Sequence, residues 1–263
     1  MLSASGISKH FKGLQALNGA ELSIDAGEAI GLVGPNGSGK STLLNILSGF
    51  EKPDAGQVTL FDQDITKREP WDIAALGVRR TFQQANQPLR MSVMELMLVG
   101  SKSPKGATVR RSLLRGASVG DEEAAAVDKA RELLKWLRLD KHGDHAGGML
   151  SGGQQKLLGL GMALMGDPKI LMLDEPTAGV NPALRTELAE RLRKLHAEGM
   201  TILTIEHDMR FVADTCDRVY VLDKGSVLTI CRPDELAANP EVLAAYLGRS
   251  GQSSDNAVRK ATP

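Results

Sequence analysis

The sequence predicts an α/β fold in which buried parallel strands alternate with helices, and three observations carry that prediction. Short apolar runs recur at 29–33, 170–173 and 201–205. Strands buried on both faces read this way, and α/β proteins place their ligands at the carboxyl edge of such strands. Amphipathic helical stretches separate the runs, and the pattern GxxxxGK[ST] lies at 34–41 between a strand run and a helical one.

Along the chain, 20–24 (AELSI) and 29–33 (AIGLV) read as strands around a turn at 25–28. A helix is predicted from Lys40 through Leu44, Ile46 and Leu47. From about Pro88 the character changes: 91–99 is rich in Met and Leu, a basic stretch follows around Arg110, Arg111 and Arg115, and 121–139 places Val127, Ala130, Leu133, Leu134 and Leu137 on one helical face. These features predict a helical subdomain inserted at about 88–160. Met and Leu at helical spacing in 91–99 suit either an inward core face or a docking face for a partner. After the strand at 170–173, Asn181-Pro182 supplies an N-cap and an N1 proline. Leu184, Leu188, Leu192 and Leu195 make a stripe, and Gly199 stands at the expected stop. This is a crossover helix leading to the strand at 201–205. Residues 249–263 lack apolar periodicity and are expected to form a disordered tail, leaving 1–248 as one domain.

Composition bounds the function. The 263 residues suffice for one large domain or a core with a subdomain. The 32 Lys and Arg balance 32 Asp and Glu, which argues against a nucleic-acid partner recognised by bulk charge. With only 2 Trp, 2 Tyr and 5 Phe against 28 Gly, the core must be aliphatic, and a single-strand reader built on aromatic stacking is disfavoured. Cys216 and Cys231 form no CxxC, so a reducing compartment is expected. The N-terminus has no apolar secretory core, and no stretch approaches the roughly 18 uncharged apolar residues of a membrane span. If the chain serves a membrane process, another chain must cross the lipid.

Three clusters carry chemistry. Gly34, Pro35, Asn36, Gly37, Ser38, Gly39, Lys40 and Ser41, with Thr42 following, form a loop whose N–H groups and helix N-terminus face phosphates. Lys40 would neutralise β/γ charge, and the Ser41 hydroxyl would ligate Mg²⁺. Asp174 and Glu175 end a buried strand, where one carboxylate suits the cation and the other a water attacking the γ-phosphate. Ser151, Gly152, Gly153 and Gln154 open a Gly-rich helix, which by spacing alone is either a second anion site or an ordinary capped start.

The phosphate loop, LSGGQ at 150–154, Asp-Glu after an apolar strand and His207 after a later one, in that order, resemble the ATP-binding-cassette (ABC) ATPases over about residues 1–248. The resemblance implies a P-loop NTPase (RecA-like) core, an N-terminal antiparallel β subdomain and the inserted helical subdomain, with ATP and Mg²⁺ as cofactors. It implies that Phe11 stacks on adenine, that Gln83 senses the γ-phosphate and Mg²⁺, that Ser151 to Gln154 are the signature, that Glu175 is the catalytic carboxylate and that His207 is the switch histidine. The signature would contact ATP held by another chain, so a second ATPase subunit, identical or a sister, is implied. Two transmembrane permease subunits and, indirectly, an extracytoplasmic solute-binding protein complete the expected assembly, with this chain peripheral at the cytoplasmic face of the membrane. The segments 77–83, 175–182, 205–209 and 246–248 resemble the ATPases of branched-chain amino-acid importers, with urea and amide uptake systems close. Asn181 departs from the Asp of many cassettes, and Met162 stands where Arg is common. A lipid or lipopolysaccharide exporter ATPase, or a non-transport ABC ATPase, is the alternative.

Overall fold

The computed structural model describes residues 1–81, 90–101, 116–236 and 238–247, without the side chains of 116–120 and 247. Gln83, the basic stretch at 110–115 and the expected tail at 249–263 lie outside these residues. Two sheets organise the described chain. Strands β1 (Leu2–Phe11), β2 (Leu14–Ile24), β4 (Ala55–Leu60) and β5 (Gln63–Asp64) form an antiparallel sheet in the order β2-β1-β4-β5. The second sheet contains β3 (Ala29–Val33), β6 (Val78–Arg80), β7 (Ile170–Asp174), β8 (Thr201–Ile205), β9 (Arg218–Asp223) and β10 (Ser226–Cys231), in the order β10-β9-β3-β8-β7-β6. It is parallel from β9 to β6, and β10 returns antiparallel on β9.

All three predicted apolar runs are strands of this second sheet, and β3, β7 and β8 are buried along their whole lengths. In β7 the cause is visible residue by residue. Ile170 and Met172 belong to one core, while Leu171 and Leu173 belong to another on the opposite face. Each such side chain contributes about 1.5–3 kcal/mol on burial, so a polar residue at any of these four positions would be costly. The strand at 20–24 is the end of a longer one, and it joins the other sheet. Toward its end β2 alternates buried and exposed positions, as a sheet wet on one side does, so the turn at 25–28 carries the chain between sheets.

The first core lies between the two sheets around α1 (Lys40–Leu47) and includes Leu2, Ile24, Leu43, Leu47 and Leu203. The second gathers α3 (Val93–Val99), α4 (Gly116–Trp136), α5 (Gly152–Met165) and α6 (Pro182–Ala197) on the other face of β7. The third packs Val33, Val219 and Val221 under α7 (Met209–Thr215) and α8 (Pro240–Leu247). The short α2 (Pro70–Ala75) precedes β6.

Local signals explain the helix limits. Ser92 and Glu95 close a capping box on α3, and the inward reading of 91–99 holds for Val93, Leu96 and Met97, which are buried, while Val99 is exposed. The helix expected at 121–139 starts earlier and stops at Trp136. Arg138 turns left-handed (φ 56°), and Leu139 N–H donates to Leu134 O at 2.8 Å, which closes the C-terminus three residues early. Asn181 caps α6, accepting from Leu184 N–H at 2.9 Å, a role in which Asn serves as well as the usual Asp. Both cysteines are free thiols, and burial pushes that of Cys216 up to about 12. Among the described residues no helix is long and apolar enough to cross a membrane.

Candidate active site

The phosphate loop leaves the end of β3 and enters α1. Gly39 sits at the helix N-cap with φ 107°, and a Cβ there would lie 2.5 Å from Ala16 O, so only glycine fits both the conformation and the space. The loop rests on the β9–β10 hairpin, where Gly225 N–H donates to Ser38 O at 2.9 Å. Lys40 is buried, and its ammonium folds back onto Gly34 O (2.8 Å) and Pro35 O (3.0 Å). The positive charge therefore lies inside the curl of the loop beside the N-terminus of α1, and a phosphate chain fits that combination.

Asp174 ends β7 and is 6% exposed. Arg80, at the end of the neighbouring β6, donates to Asp174 Oδ2 at 2.8 Å, and its other terminal nitrogen reaches Asn45 Oδ1 (2.7 Å) and Ser48 Oγ (3.0 Å) on α1. The guanidinium thus ties the strand-end carboxylate to the helix that begins at Lys40 and Ser41. Ser41 and Asp174 are oxygen donors of the hard type that Mg²⁺ takes. The described residues contain no group of three His, Cys, Asp or Glu able to hold a metal, so phosphate oxygens and water would be among the remaining ligands.

Glu175 follows with φ 47°, a left-handed backbone rare for a residue with a side chain. Its N–H donates to Ile205 O (3.0 Å) at the end of β8, and its carbonyl accepts from Lys156 Nζ (3.0 Å) on α5. So oriented, Glu175 Oε1 stands 3.0 Å from His207 Nε2. An ionised carboxylate only accepts, so this nitrogen carries the proton and donates it to Glu175. Glu206, between β8 and His207, is 2% exposed. Its carboxylate accepts from Thr177 N–H (2.8 Å) and His207 N–H (3.0 Å), clasping the turn after Glu175 to the residue that faces it. Burial draws the Lys156 ammonium below the ordinary lysine range, opposed by the charges of Glu206, Glu175 and Asp174.

Ser151 is the N-cap of α5 and forms a capping box with Gln154. Ser151 Oγ accepts from Gln154 N–H (3.3 Å), and Ser151 N–H donates to Gln154 Oε1 (2.9 Å). The arrangement spends an acceptor lone pair of the serine and leaves its O–H as a donor toward an anion. Phe11 lies at the end of β1, 42% exposed, with Lys9 Nζ 5.3 Å from its ring centroid; it is no core residue, and its face is accessible to stacking. The structure therefore brings Glu175 and His207 into contact, holds Asp174 against α1, and sets Ser151 to Gln154 in the helical lobe. Arg80, Glu206, Lys156 and His142, a partner of Gln154 described below, are participants that residue spacing did not single out. Their contacts join segments far apart in the chain, and a charged residue destined for burial looks like any other in a sequence.

Comparison with known proteins identifies the family. A family model described as ABC transporter matches residues 17–178. A probable branched-chain amino acid transport ATP-binding protein LivG of Methanocaldococcus jannaschii is 39% identical over 253 residues, spanning 94% of this chain and 97% of that protein. The high-affinity branched-chain amino acid transport ATP-binding protein LivG of Escherichia coli K12 is 37% identical over 251 residues, spanning 95% and 98%. Among solved structures, a nucleotide-free ATP-binding cassette from an ABC transporter superposes with a TM-score of 0.81 at 37% identity, covering 94% of this chain and 98% of that one. The dimeric structure of a bacterial ABC transporter cassette superposes at 0.74 with 25% identity, covering 89% and 99%.

Proposed function

The chain belongs to the ABC transporter family, whose ATP-binding proteins hydrolyse ATP to power transport, and from that premise we propose that it drives import of branched-chain amino acids or a related small polar solute. The observation that carries the catalytic part is the contact between Glu175 and His207 at the carboxyl edge of the sheet that also launches the phosphate loop. The solute is suggested by LivG-type relatives that match nearly the whole chain.

In this reading residues 34–42 hold the phosphates of ATP, and Phe11 stacks on the base. Lys40 exchanges the loop carbonyls for β- and γ-phosphate oxygens. Ser41, Asp174 and Gln83 would hold Mg²⁺, which would supply charge compensation between the phosphates. Glu175 accepts a proton from the attacking water, and His207, donating from Nε2, keeps the carboxylate aimed. Ser151 to Gln154 complete the site of a second ATPase subunit, so two chains close over two nucleotides. Residues 1–248 act as one ATPase domain with the helical subdomain at 88–160, and the exposed edge around Val99 meets a permease at the cytoplasmic face of the membrane.

Substitution separates these roles. Glu175→Gln is expected to lower ATP turnover by about 10²–10⁴-fold while keeping nucleotide binding, so that a closed dimer accumulates with Mg-ATP in sedimentation. Lys40→Ala is expected to weaken binding itself in equilibrium titration. Wild-type turnover by Glu175→Gln would refute the assigned base. Reconstitution in vesicles with candidate permeases and a receptor from the same organism, assayed with labelled leucine, tests the solute.

A further inference from the structure

We propose that His142 is a positioning residue for the signature turn, working through a chain of hydrogen bonds that exists only while His142 and His145 are both neutral. The inference rests on reading Ser151 to Gln154 as the half-site offered to a partner's ATP. It starts from the amide of Gln154. Because Ser151 N–H donates to Gln154 Oε1 at 2.9 Å, the other amide atom is the NH₂ group, and it stands 3.2 Å from His142 Nε2. Two donors cannot share that contact, so His142 Nε2 is bare and accepts. The proton of neutral His142 is then on Nδ1, which lies 3.1 Å from Nδ1 of His145. His145 must accept there, and its own proton sits on Nε2. One backbone hydrogen bond therefore fixes both tautomers.

The turn holds the two rings in place. His145 N–H donates to His142 O (2.9 Å), and Val93 N–H, at the start of α3, donates to His145 O (2.9 Å). The rings meet edge to face with centroids 5.1 Å apart. The charged groups on the elements around them are Asp140, Lys141 and Asp144 in the same turn, Arg90 and Glu95 near α3, Lys135 and Arg138 at the end of α4, and Lys156 on α5. Glu95 is engaged by Ser92, Arg138 by Glu187 and Lys156 by the Glu175 carbonyl.

One added proton breaks the chain wherever it lands. On His142 it puts an N–H against the NH₂ of Gln154. On His145 it sets two N–H groups face to face, and moving the His142 proton to relieve them passes the conflict on to Gln154. Acid that protonates either ring should thus loosen Gln154 and, with it, the signature turn.

The full chain labelled with ¹⁵N-histidine tests the first step at pH 8. Long-range ¹H–¹⁵N correlation should show His142, assigned by its loss in His142→Ala, with Nδ1 protonated and Nε2 bare, and His145 the reverse. A His142 protonated at Nε2 overturns the proposal. The second step uses the Glu175→Gln background, in which ATP-driven dimerisation is followed at pH 8 and pH 6. His142→Ala should weaken the dimer about three- to tenfold at pH 8, the worth of one hydrogen bond, and flatten its pH dependence. His142→Gln, whose carbonyl accepts from Gln154 at either pH, should restore the dimer and remain insensitive to acid. Equal dimer affinity and equal pH response in all three chains would overturn the positioning role. If no chain dimerises with ATP, the half-site reading and with it the positioning role fall, while the tautomers still decide whether the hydrogen-bond chain exists.

Discussion

The side chain on which the site's geometry most depends is Arg80. It joins three segments, β6, α1 and the end of β7, with its own and Asp174's side chains 8% and 7% exposed. Buried pairs of this kind add little net stability, because desolvation consumes most of the attraction, but removing one partner strands the other. Arg80→Ala should therefore destabilise the fold by about 3–5 kcal/mol in urea unfolding. Asp174→Asn with Arg80→Ala should recover part of that loss, since neither charge is then left buried alone. A double variant no more stable than Arg80→Ala would show that the arginine acts by packing. Lysine is a poor substitute, because an ammonium cannot present the fork that reaches Asn45, Ser48 and Asp174 together.

Among the elements, the contact between α3 and α5 shows how a small residue sets a distance. Gly100 ends α3, and a Cβ there would lie 2.2 Å from Met162 O in the last turn of α5, a backbone atom that cannot turn aside. Gly100→Ala should push the two helices apart at a cost of about 1–3 kcal/mol. Amide exchange should then quicken in α3 and α5 while β3 and β8 keep their protection; unchanged exchange in α5 would show that the helices have room to give. The elements whose signals are local were legible in the sequence. Asn181, Pro182 and Gly199 mark α6, and the apolar runs mark β3, β7 and β8, because caps and double-sided burial write themselves into adjacent residues. Strand β1 was not legible. Its ladder with β2 has three register shifts between Ala4 and His10, which break the alternation that identifies a half-buried strand.

At the scale of the molecule, the residues of the candidate site divide between the sheets and the helices. The phosphate loop, Asp174 and His207 stand on the sheets, whereas Ser151 and Gln154 stand on a helical lobe whose core also takes in Leu171 and Leu173 of β7. Both halves of the candidate site stand out in the sequence, since each is a short contiguous motif. The sequence could not announce what joins them, because Lys156 to Glu175, Lys129 to Met165 O and Asp167, and Arg191 to Trp136 are pairings that only the fold creates. Arg191 is the most connected of these. From α6 its guanidinium lies 4.9 Å from the Trp136 ring, donates to the Trp136 carbonyl at the end of α4, and pairs with Glu187, which also faces Arg138 at 3.6 Å. Arg191→Met keeps most of the stem and removes every donor. The expected result is a chain that folds and binds ATP as before, because the phosphate loop is untouched, but whose lobe would be held less firmly if a partner's nucleotide must be met. Turnover should fall several-fold at unchanged KM for ATP, and exchange should rise in α4 and α5 alone. A KM that climbs in step with the loss of kcat would mean that lobe and sheets form one rigid body, and that the orientation of the signature is fixed by the core.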